Sequence, residues 1–120
     1  MRQRILLIDD DSRVTDLLVR CLSPEFDLQT AGSGKQGIDQ FRAQKPGLVI
    51  LDIMLPDISG TEVLKTLRAD DPKVFVVMLS GNPDLGLARE TIKLGANDYV
   101  VKPFHPGYLR DLLRAAAARL

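Results

Sequence analysis

Four apolar stretches of this chain each end in residues able to do polar chemistry. Ile5–Ile8 runs into Asp9-Asp10-Asp11, Leu48–Leu51 into Asp52, Val74–Leu79 into Ser80, and Tyr99–Val101 into Lys102. If these stretches are parallel strands of one sheet, the polar residues converge on one rim. Asp9, Asp10 and Asp52 would repel one another in a partly dehydrated pocket, and a single lysine cannot neutralise them. A divalent cation can. Oxygen-only ligands with no His or Cys nearby select a hard ion such as Mg²⁺, which takes one or two carboxylates, keeps waters and favours a phosphate oxygen.

A carboxylate beside such an ion, a lysine and a hydroxyl is equipped to accept a phosphoryl group. Aspartate is a competent nucleophile that forms an aspartyl phosphate, and the reaction needs mainly positioning and charge stabilisation. Asp52 suits the acceptor role, because it stands alone at the end of a central strand. Lys102 and Ser80 would contact two phosphoryl oxygens. Asp10, Asp52 and a backbone carbonyl near Met54 would hold the metal, with Asp9 reaching it through a water.

The elements that must position these residues follow from hydrophobic patterning. The continuous apolar runs Ile5–Ile8, Leu48–Leu51 and Val74–Leu79 suit strands covered on both faces. Phe26, Leu28 and Thr30 alternate with polar residues, and Tyr99–Val101 is brief, so these two strands belong at the edges. Helical stripes lie between them: Val14, Leu17, Leu18, Cys21 and Leu22 with Asp11 or Ser12 as N-cap; Ile38 and Phe41; Val63, Leu64 and Leu67; and Leu109, Leu112, Leu113 and Ala116. Leu87–Leu94 forms a further helix that Gly95 can end in the left-handed conformation. Five βα repeats with right-handed crossovers give an α/β fold with a parallel five-stranded sheet, order 2-1-3-4-5. Ligands of such folds bind where the strand order reverses, here between the first and third strands.

The 120 residues make one domain, 1–120. Sixteen Lys plus Arg balance sixteen Asp plus Glu, so no net field invites nucleic acid, and DNA binding by this chain is not expected. One cysteine, Cys21, excludes an internal disulfide and a Cys-cluster zinc site, and its place on an apolar stripe reads as packed. No apolar run approaches the ~18 residues of a membrane span, and four apolar residues after Met1-Arg2-Gln3-Arg4 are too few for a signal peptide. A cytoplasmic setting is the expectation.

The motifs Ile8-Asp9-Asp10-Asp11, Leu51-Asp52-Ile53-Met54-Leu55-Pro56-Asp57 with Gly60, Leu79-Ser80-Gly81 and Asp98-Tyr99-Val100-Val101-Lys102-Pro103-Phe104 resemble the receiver domain of bacterial two-component response regulators. The likeness covers essentially the whole chain. It implies a flavodoxin-like fold and Mg²⁺-dependent phosphorylation of Asp52 by a histidine kinase or phosphotransfer protein. It also implies a switch in which Ser80 and Tyr99 couple phosphorylation to the surface of the fourth helix, fifth strand and fifth helix. An effector, an output domain after Leu120 in a longer parent, or a phosphorylation-dependent homodimer would read that surface. A cis Lys102–Pro103 bond is a further implication. Met54 and Asn82 occupy positions that in this family tune the lifetime of the phosphoryl group, while Gly47 and Ser59 depart from its common pattern without touching the chemistry.

Other readings of single residues are plainer. Asp11 serves the following helix, Asp57 is a turn residue near the third helix, and Tyr99 alone is a half-buried sheet aromatic. Gly32-Ser33-Gly34-Lys35 lacks the spacing of a phosphate loop, and His105 has no partner for a transition-metal site. Three rival functions remain. A receiver-like module that only binds partners is opposed by the intact Asp10, Asp52, Ser80 and Lys102. An aspartate-nucleophile phosphatase of the haloacid-dehalogenase type needs a second acid where Met54 stands. A flavodoxin needs a Ser/Thr-rich phosphate loop. The chain is thus expected to catalyse only its own modification rather than act as an enzyme.

Overall fold

Strands and helices alternate throughout the computed structural model, which describes residues 2–120. In chain order they are β1 (Arg4–Ile8), α1 (Ser12–Leu22), β2 (Asp27–Ala31), α2 (Gly34–Gln44), β3 (Leu48–Asp52), α3 (Gly60–Asp70), β4 (Phe75–Ser80), α4 (Leu85–Lys93), β5 (Asp98–Val101) and α5 (Pro106–Ala117). The strands form one parallel sheet of order β2-β1-β3-β4-β5, a flavodoxin-like α/β fold. Every residue of β3 is buried, whereas β2 and β5 retain exposed positions, as the patterning of apolar residues predicts.

Period-2 alternation along the central strands supplies both faces of the sheet. Leu6, Ile8, Val49, Leu51, Val76 and Met78 point to one side, where they meet Phe41 of α2 and Val63, Leu64 and Leu67 of α3. Ile5, Leu7, Leu48, Ile50, Val77 and Leu79 point to the other, against Leu18 and Leu22 of α1 and Leu109 and Leu113 of α5. Burying each such side chain contributes about 1.5–3 kcal/mol, so slipping a strand by one residue would invert a whole face.

Side chains set the helix starts. Asp11 caps α1 by accepting from the Arg13 N–H at 2.9 Å, and Ser33 caps α2 by accepting from the Gln36 N–H at 3.2 Å. Two boundaries differ from expectation. α4 starts at Leu85, ahead of Leu87, because Asp84 accepts from the Gly86 N–H at 2.8 Å and nucleates an earlier turn. Phe26 lies outside β2: it is buried against the α1–α5 side, while Thr30 of the same alternating set is exposed. Gly95 does end α4 with φ +112°, and the Lys102–Pro103 bond is cis.

Candidate functional site

Parallel pairing brings the strand ends together. Ile8 of β1 stands beside Leu51 of β3, and Asp52 beside Leu79 of β4, so Asp9, Asp52 and Ser80 leave the sheet side by side. The Lys102 N–H donates to the Ser80 carbonyl at 2.7 Å, which carries the lysine to the same rim. Its ammonium bridges two carboxylates, donating to Asp9 Oδ2 at 3.1 Å and Asp52 Oδ2 at 3.0 Å. Both acids are almost wholly buried, whereas Asp10 is exposed. One oxygen from each of Asp9, Asp10 and Asp52 falls within 4.8 Å of the others, the one such convergence of metal-ligating side chains among the described residues.

The electrostatics of this rim are unbalanced. Burial raises the Asp9 pKa above its ordinary value; the Asp11 N–H, donating at 2.9 Å, opposes this, and the charge of Asp52 reinforces it. Burial works to lower the Lys102 pKa, but hydrogen bonds to Asp52 and Asp9 outweigh it, and the ammonium is held charged. Three carboxylates against one lysine leave two negative charges when all are ionised, which one divalent cation would balance. Hard oxygen donors, converging and undercompensated, fit Mg²⁺.

Asp52, Gly60, Ser80 and Tyr99 make further hydrogen bonds around the site. Asp52 Oδ1 accepts from the Met54 N–H at 3.1 Å, which turns the chain at the start of the β3–α3 loop. Gly60 closes that loop: its N–H donates to the Ile53 carbonyl at 2.8 Å, and a Cβ there would overlap the Asp52 and Ile53 backbone. The Ser80 hydroxyl is fully buried and accepts from the Asn82 N–H at 2.9 Å, leaving its own hydrogen to donate. The Tyr99 hydroxyl donates to the Asn82 carbonyl at 2.8 Å, so Ser80 and Tyr99 both hold the β4–α4 loop through one residue.

Two residues read as local features of the sequence have roles across the fold. Asp57 does not merely turn the chain near α3. Its Oδ1 accepts from the Gly34 N–H at 2.8 Å and its Oδ2 from the Lys35 N–H at 2.9 Å, capping α2 from another βα unit. Nothing in the sequence marks this pairing: α1, α4 and α5 likewise have no acid in their first turn, and only packing brings Asp57 to the start of α2. His105 caps α5, with Nδ1 accepting from the Gly107 N–H at 3.1 Å. Gly32–Lys35 forms no phosphate loop, since the Gly32 N–H already donates to Gln36 Oε1 and the Gly34 and Lys35 N–H groups to Asp57. Cys21 is partly buried, 3.7 Å from the Pro106 carbonyl.

Comparison with known proteins covers the same ground. The profile described as "Response regulator receiver domain" matches residues 5–114. The DNA-binding response regulator MtrA of Mycolicibacterium smegmatis is 41% identical over 121 residues, covering 100% of this chain and 51% of the relative. The cell cycle transcriptional regulator CtrA of Caulobacter vibrioides is 35% identical over 117 residues, covering 97% and 51%. The chain therefore spans about half the length of the curated relatives it matches. Among solved structures, the BeF3-activated DrrB receiver domain superposes with a TM-score of 0.90 at 28% identity, covering 98% of this chain and 99% of that one. A response regulator receiver domain protein from Clostridium thermocellum gives 0.91 at 29% identity, covering 98% and 95%. With sheet order, rim chemistry and a profile over nearly the whole sequence in agreement, the chain belongs to the response regulator receiver domains of two-component signalling, a family phosphorylated on aspartate.

Proposed function

We propose that residues 1–120 act as one receiver domain whose phosphoacceptor is Asp52, supplied by a histidine kinase or phosphotransfer protein. The observation that carries this reading is the Lys102 ammonium bridging Asp9 and Asp52 at 3.1 and 3.0 Å beside the converging Asp10. An Asp52 oxygen bonds to phosphorus as the bond from phosphorus to the donor breaks, and the ionised carboxylate has no proton to lose. Lys102 then exchanges an Asp52 oxygen for a phosphoryl oxygen, and Ser80 donates its free hydroxyl hydrogen to another. Asp10, Asp52 and the Met54 carbonyl would hold Mg²⁺, and Asp9 would support it from outside the ligand set. When bound, the ion neutralises charge that builds on the transferring group.

Signalling follows from what Ser80 and Tyr99 share. Pulling the Ser80 hydroxyl toward a phosphoryl group releases the Asn82 N–H, and Tyr99 loses its fixed acceptor on the same residue. The β4–α4 loop and the α4–β5–α5 surface then take a second arrangement, which an effector, an output domain or a second copy of the chain reads. Relatives of twice this length named as DNA-binding regulators support a DNA-binding output domain in a longer parent, with no nucleic acid contacting this chain. No helix among the described residues is long and apolar enough to cross a membrane, in keeping with a cytoplasmic site of action. The chain modifies itself and is not an enzyme for other substrates.

Intact-protein mass after incubation with Mg²⁺ and acetyl phosphate tests this reading. The wild type gains one phosphoryl group that EDTA prevents, and Asp52→Asn gains none. An adduct on the variant would move the acceptor elsewhere. No adduct on either protein, with a histidine-kinase donor also failing, would leave a partner-binding module.

A further inference from the structure

The β3–α3 loop, residues 53–59, is packed unevenly: Ile53 is buried in the core and Leu55 lies half-buried against it, whereas Met54 between them stands clear. The Met54 side chain is 74% exposed, and its N–H is tied only to Asp52 Oδ1, the group that reacts. The two ends of the loop meet where Gly60 lies against the Asp52–Ile53 backbone. Within the loop, three residues after Met54, Asp57 is pinned by its two oxygens, which accept from the first two N–H groups of α2 at 2.8 and 2.9 Å. Beside that anchor the Ile58 side chain lies against Gly34 so closely that a Cβ there would overlap it. When Asp52 takes up a metal ion and a phosphoryl group, its bond to Met54 is open to loss. The Asp57 anchor involves no reacting atom and persists.

We propose that Asp57 is a positioning residue of the phosphotransfer site: its carboxylate, clamped across the start of α2, holds the 53–59 loop so that the Met54 carbonyl stays at the metal position. The assignment rests on the proposed function, because it needs Met54 as a metal ligand. α2 thereby becomes part of the site's support without contributing a ligand. Partners bonded directly to a metal ligand govern affinity by about 10–100-fold, and Asp57, acting through the loop, belongs at the lower end of that range.

Titration calorimetry of Mg²⁺ into the whole chain separates positioning from mere capping. Three variants are compared with the wild type: Asp57→Ala, Asp57→Asn and Ser33→Ala. Ser33 caps the same helix through Gln36 and its hydroxyl makes no hydrogen bond to the loop, so its loss weakens the start of α2 without removing the Asp57 anchor. Asp57→Ala is expected to weaken Mg²⁺ binding about tenfold, with its phosphorylation rate recovering at saturating Mg²⁺. Asp57→Asn, which keeps one acceptor oxygen, falls between that and the wild type and serves if the alanine variant fails to fold. Ser33→Ala lowers the melting temperature with Mg²⁺ affinity unchanged. Equal Mg²⁺ affinity in the wild type and the folded Asp57 variants would overturn the assignment and leave Asp57 a helix cap. Failure of the wild type to bind Mg²⁺ would overturn the proposed function, and this assignment with it.

Discussion

Each end of this parallel sheet has a partly buried cation, and the two are satisfied in opposite ways. At the C-terminal ends of the strands Lys102 faces the charged oxygens of Asp9 and Asp52. At the N-terminal ends Arg68 of α3 meets neutral acceptors. Its Nη1 donates to the Val74 carbonyl at 2.7 Å and the Pro72 carbonyl at 3.0 Å, and its Nη2 to the Gly95 carbonyl at 2.6 Å and Asn97 Oδ1 at 3.1 Å. Burial lowers the Arg68 pKa, whereas the carboxylates at the other rim raise that of Lys102 in spite of burial. The Arg68 end is a closed hydrogen-bond set that joins the approaches to β4 and β5. The Lys102 end carries surplus negative charge, and that surplus gives an incoming cation or phosphoryl group something to bind. Stability and reactivity are thus placed at opposite ends of the same strands.

The largest test of this contrast is Arg68→Ala. Removing the guanidinium strands several partly buried carbonyls, so unfolding in urea is expected to show a loss of about 2–3 kcal/mol at an unchanged m-value. Phosphorylation of Asp52 in the folded protein should be untouched. A loss within the ~0.5 kcal/mol usual for surface sites would mean that water replaces Arg68 freely.

A smaller effect of opposite sign is expected from Asp9→Asn. Because the folded state raises the Asp9 pKa, metal-free protein gains stability as pH falls from neutrality through that raised value, and loses it again as pH rises. The uncharged amide of this variant mimics the neutral acid, so thermal melting in EDTA at pH 7 should shift upward by a few degrees. Added Mg²⁺ should then stabilise the variant less than the wild type. A downward shift in EDTA would show that the Lys102 pair outweighs the cost of burying the charge.

The smallest effect belongs to an exposed ion pair beside the start of β2, away from the reactive rim. Arg114 of α5 forks onto Glu25 through Nε and Nη2, and this hydrogen bonding lowers the Glu25 pKa. Its contribution is present above about pH 4.5, the ordinary glutamate value, and disappears as pH falls through the lowered folded value. Since the pair is solvent-exposed, Glu25→Gln should flatten the acid limb of a melting-temperature profile only slightly and leave Mg²⁺ binding alone. A change in Mg²⁺ affinity would reveal coupling from α5 to the reactive rim.

Strand order was legible because burial on one or both faces writes itself into consecutive residues: Leu48–Leu51 has no polar member, whereas Asp27–Thr30 alternates. The reactive rim was legible for a related reason. Parallel strands all end on one side, so Asp9, Asp52, Ser80 and Lys102 needed only the topology to be brought together. Asp57, read as a turn residue, and Arg68, not singled out at all, belong to a different kind of information. Each finds its partners in neighbouring βα units, Asp57 on α2 and Arg68 before β4 and β5.

By itself, then, the sequence determined the fold, the strand order and the set of residues meeting at the C-terminal rim. Hydrophobic period and strand direction are repeated along the chain, and each copy reinforces the others. Only the tertiary structure decided which carboxylate oxygen each donor engages, and that Ser80 and Tyr99 converge on Asn82. It alone decided that Asp57 and Arg68 hold neighbouring units in place. Hydrogen bonds are short-ranged and directional, so an exposed-looking Asp or Arg acquires its role only when packing brings a particular N–H or carbonyl within about 3 Å.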